Sequence, residues 1–201
     1  PNNMSKNKFL ITQSLLGAWG WLYKLDNGYA DFMKTLRREP VPPNNAMLDG
    51  RQFENMVTAY CEGNPPKAGH KWEVGIRGVG DLVCGGAFQV KLSKGVVIDN
   101  IEFVLYGILD VLKCGVIWDI KFSKTYHVGK YLDSPQHPMY FALCPEAREF
   151  TYIISNGRDV CRERYFPADT PPIEQEIRRF MQFLDRYDLV DTYCENWRSK
   201  Y

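Results

Sequence analysis

Three strand-like runs in the middle of the chain, Phe88 to Leu92, Ile101 to Leu112 and Gly115 to Phe122, constrain the fold more than any other feature. They are rich in β-branched and aromatic residues, which suit a pleated, half-buried surface. The breaks between them, Ser93-Lys94-Gly95, Asp99-Asn100 and Lys113-Cys114, are short and polar or turn-forming. Short breaks cannot hold a helical crossover, so the runs are expected to form an antiparallel meander.

Helical patterns flank this centre. Phe9 to Lys24 places Leu15, Trp19 and Tyr23 four residues apart after a cap at Thr12 or Ser14, and a shorter helix is expected from Gly28 to Arg38. Pro40, Pro42 and Pro43 fix φ and remove backbone donors, so that segment must be a loop. Leu48 to Tyr60 reads as a third helix, with Phe53, Val57 and Tyr60 on its buried face and Glu54 about 100° round from it. A loop follows from Gly63 to Gly69, and then Trp72 to Gly86 gives no clear pattern. Its glycines Gly75, Gly78 and Gly80 lack the strand-then-helix context of a dinucleotide fingerprint and the Lys-Ser/Thr of a phosphate loop, so the run reads as a helix-to-strand connection.

After the meander come a helix from Ser134 to Leu143, a strand from Phe150 to Ser155, a turn at Asn156-Gly157-Arg158 and a strand from Asp159 to Tyr165. A long final helix opens after Pro171-Pro172, with Ile173, Ile177, Phe180, Leu184 and Tyr187 along one stripe. Strands embedded between helices make an α/β fold with a mixed central sheet covered by helices. One domain over 1–201 is expected, with an N-terminal helical part (1–47), a core (48–156) and a C-terminal strand and helix (157–201).

Charge excludes one class of function. The chain carries 25 Lys+Arg against 24 Asp+Glu, a net charge of +1, which argues against a binder that works by summed positive charge but not against a local basic cleft. Six cysteines without a C-x-x-C pair read as reduced intracellular thiols, and no apolar run approaches the ~20 residues that cross a bilayer. A soluble, cytoplasmic protein is expected. The chain starts at Pro1 without a methionine, so it is expected to be a piece of a longer one.

The chemistry gathers at Gly107-Ile-Leu-Asp110 and Trp118-Asp-Ile-Lys121. In the third strand Val116, Trp118, Ile120 and Phe122 share an apolar face, and Ile117, Asp119 and Lys121 share the other. An acid and a base on a strand otherwise suited to burial are costly unless they pair or meet a ligand. A two-residue Lys113-Cys114 turn would set Asp110 opposite Ile117, on the same face as Asp119 and diagonal to it, within ~7–8 Å at Cα. A three-residue turn would flip Asp110 to the other side. Two carboxylates and a strand carbonyl make a hard-oxygen site suited to Mg²⁺ or Mn²⁺. The same spacing also suits a surface Asp119–Lys121 pair.

Asp110 followed by Asp119-x-Lys121 resembles the PD-(D/E)XK nuclease superfamily. The longer string, Gly107-Ile-Leu-Asp110, Ile117-Trp-Asp-Ile-Lys121 and Ser134-Pro-Gln-His-Pro-Met-Tyr140, is similar to its RecB-like and lambda-exonuclease-like exonuclease branch, over about Thr12 to Ser155. The resemblance implies a restriction-endonuclease-like core and a Mg²⁺- or Mn²⁺-dependent deoxyribonuclease, more an exonuclease than an endonuclease, serving phage-type recombination or DNA repair. It implies that Asp110, Asp119 and the Ile120 carbonyl bind the metal, that Lys121 is the catalytic lysine, and that Gln136 and Tyr140 shape the site and the DNA contact. Glu54 falls where RecB-like members place a histidine and lambda-exonuclease-like members a glutamate, which makes it a further metal ligand. The cysteines lack the spacing by which some relatives hold an iron–sulfur cluster, so none is expected.

Four lysines, Lys113, Lys121, Lys124 and Lys130, stand against the single acid Asp119 between Val111 and Tyr131. With Tyr126, His127 and Tyr131 they are expected to form a basic, aromatic rim for nucleic acid. DNA is the expected partner, a single-strand annealing recombinase or a helicase a possible protein partner, and the host bacterial or viral (phage-encoded). A catalytically inactive or structural module of the same fold within a helicase–nuclease is the alternative.

Overall fold

A computed structural model describes residues 8–199. The chain opens as a strand, β1 (Phe9–Thr12), before α1 (Gln13–Gly20), α2 (Gly28–Leu36), α3 (Asn45–Cys61) and α4 (Glu73–Val83). Next come β2 (Ala87–Ile98), β3 (Ile101–Lys113), β4 (Val116–Phe122), α5 (Gln136–Leu143), β5 (Glu149–Ser155), β6 (Val160–Tyr165), α6 (Ile173–Arg186) and α7 (Val190–Asn196). The expected meander is present, and the mixed sheet of six strands is flanked by helices.

Several expectations need correction. The helix expected from Phe9 starts only at Gln13, capped by the Thr12 hydroxyl, which accepts the Leu15 amide at 3.2 Å. Phe9-Leu-Ile-Thr instead pairs in parallel with Phe103–Tyr106 of β3. Strand β2 runs through the expected break at Ser93-Lys94-Gly95. The helix expected after Pro171-Pro172 forms as α6, but it is not the last: the chain turns at Asp188, with a φ of 54°, into the short α7.

The glycine-rich segment is helix α4. A Cβ at Gly75 would lie 2.6 Å from the Gly157 carbonyl carbon, and one at Gly80 would enter the Tyr60 ring. These glycines therefore let α4 lie against α3 and the β5–β6 turn. Gly75→Ala gains up to ~1 kcal/mol of helix propensity, but overpacking against main chain costs typically ~1–3 kcal/mol. Net destabilisation of about 1–2 kcal/mol is the expected outcome, read as a lower urea midpoint with unchanged slope.

Cys61, at the end of α3, and Cys84, just after α4, form a disulfide with their Cα atoms 4.9 Å apart. This corrects the expectation of six reduced thiols. The remaining four, Cys114, Cys144, Cys161 and Cys194, are free.

The sheet has a helical layer on each face. Phe53, Val57, Trp72, Ile76, Val79 and Val83 of the α3–α4 layer pack on Val111, Ile120 and Ile153. On the other face, residues of α1, α2, α5, α6 and α7 enclose Leu105, Leu109, Ile117, Phe150 and Tyr152. Among the described residues no helix is long and apolar enough to cross a membrane.

Topology places the site. One edge of β3 pairs with β2 along nearly its whole length, whereas the other is shared by β1 over Phe103–Tyr106 and by β4 over Val111–Lys113. Between these two pairings the sheet forks at Gly107–Asp110.

Candidate active site at the strand fork

The β3–β4 turn is Cys114-Gly115, with φ of 51° and 73°, rather than Lys113-Cys114. Left-handed φ at both central positions suits the twist of a two-residue hairpin, and glycine accommodates it at the second. Lys113 pairs with Val116, Leu112 with Ile117 and Val111 with Trp118. The register thus differs by two residues from the expected one, and a two-residue difference preserves the faces. Asp110 and Asp119 come out opposite one another instead of diagonal, just past the last ladder pair.

Side chains replace the missing ladder at the fork. The Asp110 carboxylate accepts the Ile120 amide at 2.8 Å. The Tyr140 hydroxyl donates to the Ile108 carbonyl at 2.9 Å, and its ring covers Gly107 where a Cβ would collide with it. Buried backbone groups must find partners, and these two residues supply them. The fork opens into a cavity of about 360 Å³ bordered by Glu54, Asp110, Asp119, Ile120, Lys121 and Gln136. All five side chains expected to act in chemistry therefore meet in one place, together with Ile120, the expected carbonyl donor.

Their hydrogen bonds form a chain. Asp119 is 2% exposed, and its Oδ2 lies 2.7 Å from Lys121 Nζ. Lys121 also donates to Gln136 Oε1 at 3.1 Å, and the Gln136 amide in turn donates to Asp119 Oδ1. Gln136 thus fixes the lysine and the aspartate with one side chain. It can do so because α5 begins at Gln136, whose main-chain N–H donates to Ser134 Oγ at 3.3 Å. Glu54, reaching the fork from α3, accepts the Gln89 amide at 2.7 Å.

Burial and crowding of like charge set the electrostatics. Desolvation first, then Asp119 and Glu54, hold the Asp110 carboxyl well above its ordinary 3.8. Desolvation also raises Asp119, against the pull of Lys121, and raises Glu54, with Asp119 adding to it. For Lys121, burial favours the neutral amine, but Asp119 and Asp110 outweigh it and the net shift is upward. The charged forms of these acids thus disfavour one another.

Among the described residues no three His, Cys, Asp or Glu side chains converge as a ready-made metal cage. The fork offers Asp110, Asp119 and main-chain oxygen, with Glu54, hydrogen-bonded to Gln89, on the border of the same cavity. That donor set fits Mg²⁺ or Mn²⁺, which take one or two carboxylates and keep several waters. Asp119 Oδ2, with no donor beside its ion pair among the described residues, fits the same conclusion.

The expected DNA-contacting residues divide. Tyr140 is 3% exposed, so it shapes the cavity wall and presents no face to a base. Lys124 is exposed in the loop after β4. Tyr126 and Lys130 instead hold that loop: Tyr126 donates to Glu163 at 2.9 Å, and Lys130 Nζ donates to Ser123 Oγ and the Thr125 carbonyl, both at 2.8 Å. Tyr131 stacks on Tyr152 with ring centroids 4.5 Å apart. Lys130 and Tyr131 border a second cavity of about 270 Å³, which also touches Lys121 and Gln136 and extends to Trp21 and Lys24. The aromatic and basic character of that extension comes from the α1–α2 connection, which lies within the helix expected over Phe9 to Lys24.

No family model matches the chain, and no curated protein matches it. Among solved structures, the crystal structure of SSO0001 is similar with a TM-score of 0.53 and 10% identity, over 90% of this chain and 78% of that one. That is a likeness of fold, in keeping with a mixed α/β sheet between helices.

Proposed function

We propose that the protein is a metal-dependent deoxyribonuclease with a restriction-endonuclease-like core of the PD-(D/E)XK type, acting on DNA ends as an exonuclease. The observation that carries this reading is the convergence of Asp110, Asp119, Glu54, Lys121 and Gln136 on one cavity at the strand fork. Surface ion pairs do not need a buried aspartate, a bridging glutamine and two neighbouring acids, so the alternative of a solvated Asp119–Lys121 pair loses its basis.

Asp110, Asp119 and the Ile120 carbonyl would hold Mg²⁺ or Mn²⁺, with Glu54 as a further donor. Such a cation supplies charge stabilisation to the phosphodiester under attack and acidifies water. Lys121 would orient that water; in support, Asp119 and Gln136 both hold its amine beside the cavity. Gln136 keeps the two charged groups in register. Lys24 and Lys130 bring positive charge to the adjoining cavity, where backbone phosphates would lie.

Linear and covalently closed DNA, each with Mg²⁺, Mn²⁺ or EDTA, distinguish the possibilities. Cleavage of linear DNA that depends on the metal and spares closed circles is expected. Equal cleavage of both would replace exonuclease by endonuclease, and no metal-dependent cleavage of either would remove the enzymatic reading.

A further inference from the structure

Six non-glycine residues among those described have positive φ, and five sit where chains usually need it: Arg38 and Asp188 after helices, and Asp99, Asn100 and Cys114 in two-residue turns. The sixth, Gln89, has a φ of 52° inside strand β2. Left-handed backbone is costly for glutamine, and such outliers persist where the surroundings impose them, often at functional sites.

Register does not require this one, although the turn also lets Phe88 join the α3–α4 cluster while Val90, two residues on, joins the opposite one. Phe88 pairs with Val111 and Val90 with Leu109, so the register is the same on both sides of Gln89 and no residue is inserted. What the turn of the backbone does is interrupt the ladder at one position, and the residue across from Gln89 there is Asp110. The Gln89 side chain then reaches α3 and donates its amide to Glu54 Oε1 at 2.7 Å. We infer that Gln89 is a positioning residue, whose left-handed backbone opposite Asp110 aims its amide to hold Glu54 at the metal end of the fork. This rests on the nuclease reading above and adds to it a residue outside the acid, lysine and glutamine string.

The consequence is a coupling between the strand and the helix. Glu54 stands on the far helical layer and faces two other acids that repel it. A carboxylate so placed turns away unless a donor holds it, and outer partners of metal ligands typically matter by about 10–100-fold in affinity.

Gln89→Gly and Gln89→Asn test this, because both residues accept left-handed backbone and neither reaches Glu54. Calorimetry with Mn²⁺ is expected to show binding weakened about tenfold in both variants. Melting temperatures without metal are expected to stay level or rise, and cleavage at saturating Mn²⁺ to return close to that of the wild type. Unchanged Mn²⁺ affinity would overturn the inference while leaving the nuclease reading intact. A marked drop in melting temperature of both variants would also overturn it, since the residue would then serve the fold. If the wild type itself bound no Mn²⁺, the nuclease reading would fall and the inference with it.

Discussion

Lys121→Met is expected to slow DNA cleavage about 10³-fold, within the range for losing a positioned proton-transfer or water-orienting group, while binding Mn²⁺ at least as tightly as the wild type. The two effects point in opposite directions for one reason. Lys121 Nζ lies 2.7 Å from Asp119 Oδ2, so its charge already neutralises part of the carboxylate cluster. Removing that charge leaves the acids more negative as a group and more attractive to a divalent ion. Protons compete for the same oxygens, because Asp119 without its lysine is harder to ionise. Calorimetry is therefore best done near pH 8, where that competition is small. Methionine keeps an aliphatic stem of similar length, so the packing of α5 on β4 is retained. Simultaneous loss of metal binding and cleavage would mean that the fork collapses without the ion pair, and undiminished cleavage would remove Lys121 from the chemistry.

Much of this arrangement was legible in the sequence because it depends on period two and on turn length modulo two. The faces of β4 follow from alternation alone, and an error of two residues in the hairpin left Asp110 and Asp119 together. A one-residue error would have separated them. Gln136 was legible only through the family resemblance of Ser134-Pro-Gln-His-Pro-Met-Tyr140, and its place at the start of α5 puts it beside the strand fork. What escaped notice depends on contacts between distant segments. Phe9-Leu-Ile-Thr has strand composition but sits before a strong helical stripe, and only pairing with β3 decides between the two. Helix α4 gives no clear helical pattern because its glycines serve close approach to Tyr60 and Gly157 rather than flexibility. Burial of Tyr140 could not be read from four-residue spacing, since its hydroxyl partner lies 32 positions away at Ile108. Gln89 carries no signal at all in propensity or pattern.

Asp110→Asn separates the demands of folding from those of the reaction. In the folded protein desolvation, then Asp119 and Glu54, raise the Asp110 carboxyl above its ordinary 3.8. A group raised in this way contributes stability that is fully present below about pH 3.8 and is lost as pH rises through its folded value. Glu54 and Asp119 are raised as well and add in the same direction. At neutral pH the metal-free fork is thus a source of instability, and asparagine removes one charge while its oxygen still accepts the Ile120 amide. The variant is therefore expected to melt at a higher temperature than the wild type without metal, by roughly 2–4 °C for each kcal/mol relieved in a domain of this size. Mn²⁺ is expected to reverse the order, raising the melting temperature of the wild type by binding the folded state and having little effect on Asp110→Asn. Cleavage by the variant falls to background. A variant less stable than the wild type without metal, or equally responsive to Mn²⁺, would show that the three acids do not act as one cation-seeking cluster. Stability sacrificed at the fork and recovered on metal binding is the physical signature expected of carboxylates assembled for a cation rather than for the fold.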